Sequence, residues 1–143
     1  MRNDEHDRFH KKVLLNDEVH LWLAHLLNDK IREVYWQSIL SVDELERAKA
    51  FRFSKDRCQF VAARGILRYL LSYYLEKAPQ NVEIVYGLWG KPCLVEEEGL
   101  YFNLSHSKDY ALYAFSSTYE VGVDIEYINQ DLDTDELSIQ KNF

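Results

Sequence analysis

Phe60-Val61-Ala62-Ala63-Arg64-Gly65-Ile66-Leu67-Arg68-Tyr69-Leu70-Leu71-Ser72-Tyr73-Tyr74 is the stretch whose period decides the fold. Phe60, Ala63, Leu67, Leu70, Leu71 and Tyr74 recur every 3.6 residues, the apolar stripe of a helix laid against a core. Ser54 and Asp56 offer its start, and the helix is expected to run to about Lys77, closed by Pro79. Arg57, Arg64 and Arg68 lie on a narrow strip beside the stripe, at offsets of seven and four. Arginines bordering a core commonly snorkel their heads into water. Joined by Arg47 from upstream, the same strip could form an anion pocket, because guanidinium forks match phosphate oxygens.

Upstream, Ser41-Val42-Asp43-Glu44 reads as a capping box. The serine hydroxyl can accept from the Glu44 N–H while the Glu44 carboxylate reaches back. It predicts a helix through roughly Phe51. Ile31 to Leu40 reads as partly helical, and Val19 to Leu26 alternates as a strand does. His20 and His25 have no metal-like neighbours and are read as surface or edge residues. Residues 1–17 are expected to form a flexible N-terminus.

Downstream, strands are predicted at Val82–Tyr86, Cys93–Val95, Leu100–Leu104, Tyr110–Ser116 and Val121–Ile128. Gly87, Gly90-Lys91-Pro92 and Glu98-Gly99 punctuate them as turns. The spacing predicts an α+β fold, an antiparallel meander packed on one long helix. Thr134-Asp135-Glu136-Leu137 reads as the beginning of a further helix.

The last of those strands, Val121-Gly122-Val123-Asp124-Ile125-Glu126-Tyr127-Ile128, places Val121, Val123, Ile125 and Tyr127 on one face. Gly122, Asp124 and Glu126 share the other, with the carboxylates about 7 Å apart along the strand. Two such groups repel unless a base or cation compensates them. Oxygen ligands of this kind suit Mg²⁺, usually held by one or two carboxylates together with substrate phosphates. A solvated outer face is the plainer alternative.

A length of 143 residues suits one domain, and 47% hydrophobic with 14% aromatic content excludes a disordered chain. The net charge of -7, from 24 acidic against 17 basic residues, disfavours nucleic acid as a general partner. Cys58 and Cys93 form no metal spacing and fit a reducing compartment. With no apolar leader and no run long enough to span a membrane, a cytoplasmic location is expected.

Phe102-Asn103-Leu104-Ser105-His106-Ser107 ends a strand with small polar groups and an imidazole suited to ligand contact. A Ser105–His106 nucleophilic dyad is a poor reading, because sequence neighbours on extended backbone point to opposite sides. Gly90-Lys91-Pro92 alone reads as a turn with an exposed lysine. The order of the motifs is more specific. Leu67-Arg68 in a long helix, Gly90-Lys91-Pro92, the 102–107 stretch and Val121-Gly122-Val123-Asp124-Ile125-Glu126 together resemble the 4′-phosphopantetheinyl transferases of the two-lobed, Sfp-like type. Leu40-Ser41 with Glu44, Arg47 and Phe51-Arg52-Phe53 carries the same resemblance, and Glu18-Val19-His20-Leu21-Trp22 is similar to its cyanobacterial heterocyst-related members.

The resemblance implies one lobe of a pseudo-dimer, with residues 18–128 as the N-terminal lobe and 129–143 as the start of the inter-lobe connection. It implies transfer of the phosphopantetheine arm of coenzyme A to a serine of an acyl, peptidyl or polyketide carrier protein. Asp124 and Glu126 would hold Mg²⁺ with the pyrophosphate, and Lys91 would contact the phosphates. Ser105 and His106 would hold the 3′-phosphate end, with Arg47 and Arg64 helping. The second-lobe motif of the family, Trp-x-x-Lys-Glu-Ala, does not occur in these 143 residues. The chain alone is therefore expected to transfer little, and its inter-lobe face to invite self-association. The alternative is a non-catalytic module that binds coenzyme A or a carrier protein.

Overall fold

Along the chain the elements are β1 (Val19–His25), α1 (Lys30–Ile39), α2 (Val42–Lys49), α3 (Ser54–Leu75), a 3₁₀ turn at Pro79–Asn81, β2 (Ile84–Tyr86), β3 (Pro92–Leu94), β4 (Tyr101–Ser107) and β5 (Tyr110–Ser116). They are those of a computed structural model that describes residues 13–27, 30–95 and 99–129. The reading of Thr134–Leu137 as a helix start lies outside the described residues. Within 13–17, Leu14 packs on the core.

The stripe read at 60–74 is the buried face of α3. Ala63, Leu67, Leu70 and Leu71 join Phe102, Ala111, Tyr113 and Phe115 in one cluster. Burying each large apolar side chain contributes roughly 1.5–3 kcal/mol, so this face anchors the helix. Its start falls at Ser54 as read, and its end falls two residues short of Lys77. Ser54 is the first helical residue, and Phe53 at the cap position has no side-chain acceptor. The helix stops at Leu75, where Glu76 turns into the left-handed region at φ 55°.

The capping box forms as read. The Glu44 N–H donates to Ser41 Oγ at 3.2 Å, and the Ser41 N–H donates to Glu44 Oε2 at 2.9 Å. α2 ends at Lys49, short of Phe51.

The strands do not form one meander. β5 is the centre of a three-stranded antiparallel sheet ordered β1-β5-β4, and among the described residues β2 pairs only with β3. The register explains the choice. Ala111, Tyr113 and Phe115 of β5 stand between Ala24, Trp22 and His20 of β1 and His106, Leu104 and Phe102 of β4. Those nine residues make the sheet face that covers α3. The most apolar strand is central, and His20 and His25 fall on an edge strand as expected. His20 Nδ1 nonetheless lies 2.8 Å from Tyr74 Oη, so its ring is engaged by α3.

Val121–Ile128 is extended but belongs to neither sheet, contrary to expectation. Its N–H groups go to side chains instead of a backbone ladder: Val123 donates to Asn103 Oδ1, Ile125 to Ser105 Oγ and Tyr127 to Ser107 Oγ. The predicted alternation persists from Val121 to Glu126. Tyr127 departs from it, lying exposed with Lys108 Nζ 5.5 Å from its ring centre.

Candidate functional site

β4 divides the candidate residues, because its side chains alternate between two faces. Toward α3, Leu104 and His106 line a recess of about 220 Å³ together with Phe51, Phe60 and Arg64, and with the exposed Asp56 at its edge. Arg64 is only 9% exposed, and its Nη1 is buried without a hydrogen-bond partner. Its guanidinium carbon lies 5.3 Å from the Phe60 ring centre and 5.2 Å from that of Tyr86. Arg47 shares both rings, at 5.8 and 5.3 Å. Burial pushes the Arg64 pKa below its ordinary value, and the Arg47 charge adds to that while Tyr86 and Glu44 oppose it. A guanidinium nevertheless stays protonated in a protein. Two cations thus sit on one aromatic platform beside an imidazole, with a buried donor unsatisfied. Such an arrangement favours an anion.

Arg68 does not belong to this strip as a ligand group. Its Nη1 donates to the carbonyls of Pro79 and Val82 at 3.1 and 2.7 Å, and its Nε to Glu44. It ties α3 to the chain that follows. Arg57 is half-buried on the first turns of α3.

On the opposite face of β4, Ser105 Oγ donates to Asp124 Oδ1 at 3.0 Å and accepts from the Ile125 N–H at 3.2 Å. Its single proton is committed to Asp124. Ser105 and His106, adjacent in sequence, therefore face different sides and are not brought together. Val121, Val123 and Ile125 are half-buried, whereas Gly122, Asp124 and Glu126 are exposed. A Cβ added at Gly122 would meet nothing within 4 Å, so the carboxylate side is open.

Among the described residues, no group of three or more His, Cys, Asp or Glu could hold a metal ion. Two open carboxylates still suit Mg²⁺, which keeps several waters and takes substrate phosphate oxygens as ligands. The donor set fits that ion and would fit poorly an ion needing a full protein cage.

Lys91 is exposed at the end of the β2–β3 loop. The loop is set by Gly87 N–H donating to the Lys91 carbonyl and Gly90 N–H to the Gly87 carbonyl, each at 2.9 Å. Gly90 has φ 74°, a conformation that favours glycine. A recess of about 190 Å³ joins Lys91 to Phe102, Glu120 and Val121, so the lysine borders the start of the carboxylate segment.

Sequence reading missed the Phe60–Tyr86 platform and the use of Asn103 and Ser107. The second carried a signal: polar residues at 103, 105 and 107 repeat with the same period as the N–H groups they meet.

Residues 29–118 match the family model described as 4′-phosphopantetheinyl transferase, N-terminal. The chain belongs to the 4′-phosphopantetheinyl transferase family. It is 43% identical over 129 residues to the 4′-phosphopantetheinyl transferase HetI of Nostoc sp., covering 88% of this chain and 54% of HetI. Against the transferase AcpT of Escherichia coli strain K12 it is 49% identical over 61 residues, 43% of this chain and 30% of AcpT. This chain thus spans about half the length of HetI and less of AcpT. A holo-(acyl-carrier-protein) synthase from Bacillus anthracis, solved in complex with CoA (3′,5′-ADP), superposes with a TM-score of 0.53 at 23% identity. That superposition covers 68% of this chain and 91% of the synthase, and establishes the shared fold.

Proposed function

We propose that this chain is the coenzyme A-binding part of an enzyme that transfers the 4′-phosphopantetheine arm to a carrier-protein serine. In that reaction the serine oxygen bonds to the phosphorus bearing the pantetheine arm. The serine hydroxyl gives up its proton to solvent, the pyrophosphate P–O bond breaks, and adenosine 3′,5′-bisphosphate leaves. The reading rests on one observation above all: the partnerless, buried Nη1 of Arg64 in a recess shared with His106 and close to Arg47. Arg47, Arg64 and His106 would take the 3′-phosphate. Lys91 would meet the pyrophosphate from the β2–β3 loop, and Ser105 serves Asp124 by its hydrogen bond.

Asp124 and Glu126 would hold Mg²⁺, which neutralises pyrophosphate charge when bound. The residues of this chain bind and orient the nucleotide. Family members supply a further Lys-Glu pair from a second lobe, and that motif does not occur in these 143 residues. Binding without transfer is accordingly the reading for the 143-residue polypeptide by itself. A cytoplasmic location belongs to the same reading; among the described residues no helix is long and apolar enough to cross a membrane.

Calorimetric titration of coenzyme A, with and without Mg²⁺, tests the reading. Mg²⁺-dependent binding that disappears in Asp124→Ala is expected. Binding indifferent to both Mg²⁺ and Asp124 would remove the carboxylates from the site, and no binding at all would remove the site from this chain.

A further inference from the structure

Residues 121–128 run beside β4 in the same direction, with 103 facing 123, 105 facing 125 and 107 facing 127. Each contact joins a side-chain oxygen of β4 to a main-chain N–H of the segment, at 3.3, 3.2 and 3.0 Å respectively. The segment is therefore one side chain removed from the sheet, and no strand ladder holds it. Its register depends on those three oxygens.

The consequence falls on the residues between the bonded positions. Fixing the N–H groups of 123, 125 and 127 on β4 turns 124 and 126 outward, and a slip by one residue would turn both carboxylates inward. Ser105 fixes Asp124 a second time by donating to its carboxylate. Asn103 and Ser107 lie at the two ends of this arrangement, where each accepts from a main-chain N–H and not from a group of the carboxylate pair.

We propose that Asn103 and Ser107 are positioning residues for the Asp124–Glu126 pair, clamping the segment at either end so that both carboxylates face one cation. This rests on the cation-binding reading of that pair. Neither residue touches the ion; each acts through a main-chain N–H. The hydroxyl of threonine can replace that of Ser107, whereas alanine cannot. Leucine at 103 keeps much of the bulk of asparagine and removes the acceptor.

Amide exchange measured by NMR and Mg²⁺ titration in the presence of coenzyme A, on the same samples, test the inference. In Ser107→Ala, exchange at Tyr127 should rise about fivefold to tenfold, the factor expected from losing one hydrogen bond. Asn103→Leu should do the same at Val123. The amides of Tyr113 and Phe115 in β5 should stay protected, showing that the fold persists. The Mg²⁺ affinity should fall at least about fivefold in either variant, and Ser107→Thr should restore both readouts. A purely structural role would loosen the amides and leave the Mg²⁺ affinity unchanged. A parent protein that responds to Mg²⁺ and variants that respond equally overturn this inference alone. A parent with no Mg²⁺ response overturns the cation reading and this inference with it.

Discussion

Arg68 Nε and Glu44 Oε2 lie 2.6 Å apart, with side chains 3% and 1% exposed. The carboxylate that closes the capping box of α2 is thus also the counter-ion of a buried guanidinium on α3. Tyr86 Oη adds a longer donor at 3.4 Å. One acid serves the helix start, the helix–helix contact and the β2 hairpin.

Removing either partner leaves the other charged and dry, which typically costs about 3–5 kcal/mol. Arg68→Met should destabilise the protein by that amount in urea denaturation. The double variant Arg68→Met with Glu44→Leu should recover much of it, since both charges are then gone. A single variant that loses less than about 1 kcal/mol would show that the pair is effectively solvated.

Gly65 permits the close approach of α1 to α3. A Cβ there would stand 2.7–2.9 Å from Trp36 side-chain atoms. Gly65→Ala gains roughly 1 kcal/mol of helix propensity but overpacks at a cost of about 1–3 kcal/mol. A net loss of stability is expected, relieved only in part when Trp36→Leu is added, because leucine keeps the Cβ that would stand 2.8 Å away. A rise in the unfolding midpoint of Gly65→Ala alone would contradict the tight contact.

Arg64 should trade stability against binding. Its guanidinium is buried with an unsatisfied donor, so Arg64→Met should raise the melting temperature of the ligand-free protein. The same change should weaken coenzyme A at least about tenfold, a loss of 1.4 kcal/mol. Affinity for coenzyme A lacking its 3′-phosphate should change little. Equal losses for both nucleotides would move Arg64 away from the 3′-phosphate.

Alkaline pH should destabilise the fold. Burial is the largest cause raising the pKa values of Cys58, Tyr74, Tyr86 and Tyr113 above their ordinary ones. The folded state then holds those protons more tightly, so between the unfolded and folded values stability falls as pH rises. The contribution is complete below the unfolded values, near 8.5 for a thiol and about 10 for a phenol. A urea midpoint that declines from about pH 8.5 and more steeply beyond 10 is expected. Tyr113→Phe should flatten the steeper part, although it sacrifices the 2.7 Å bond to the Ala63 carbonyl. An unchanged slope in that variant would assign the transition to other groups.

Local periodicity made α3, the capping box and most strand positions legible in the residues themselves. Pairings across long separations were not. Nothing in the spacing of Glu44 says that its partner is Arg68, and the arginine strip looked uniform although Arg68 is bonded and Arg64 is not. The alternation of 121–126 was readable because it depends only on backbone geometry. Which group receives each N–H depends on how far the segment stands from β4, a tertiary distance that no single segment encodes. Ser105 shows the same limit: its strand position was clear, but its proton proved to be committed across the face to Asp124.

The pairing of β1 with β5 has a kinetic consequence. Val19 meets Ser116 and His25 meets Tyr110, partners roughly ninety residues apart. Loop closure over such a span must precede the contacts that reward it, whereas α1, α2 and α3 can meet through short connections. As a hypothesis, β1 docks late, and during synthesis it waits unpaired, with Trp22 not yet set against Tyr74, until β5 has emerged. Pulse-labelled exchange should then protect α3 before β1, and protection of β1 ahead of β5 would exclude that order.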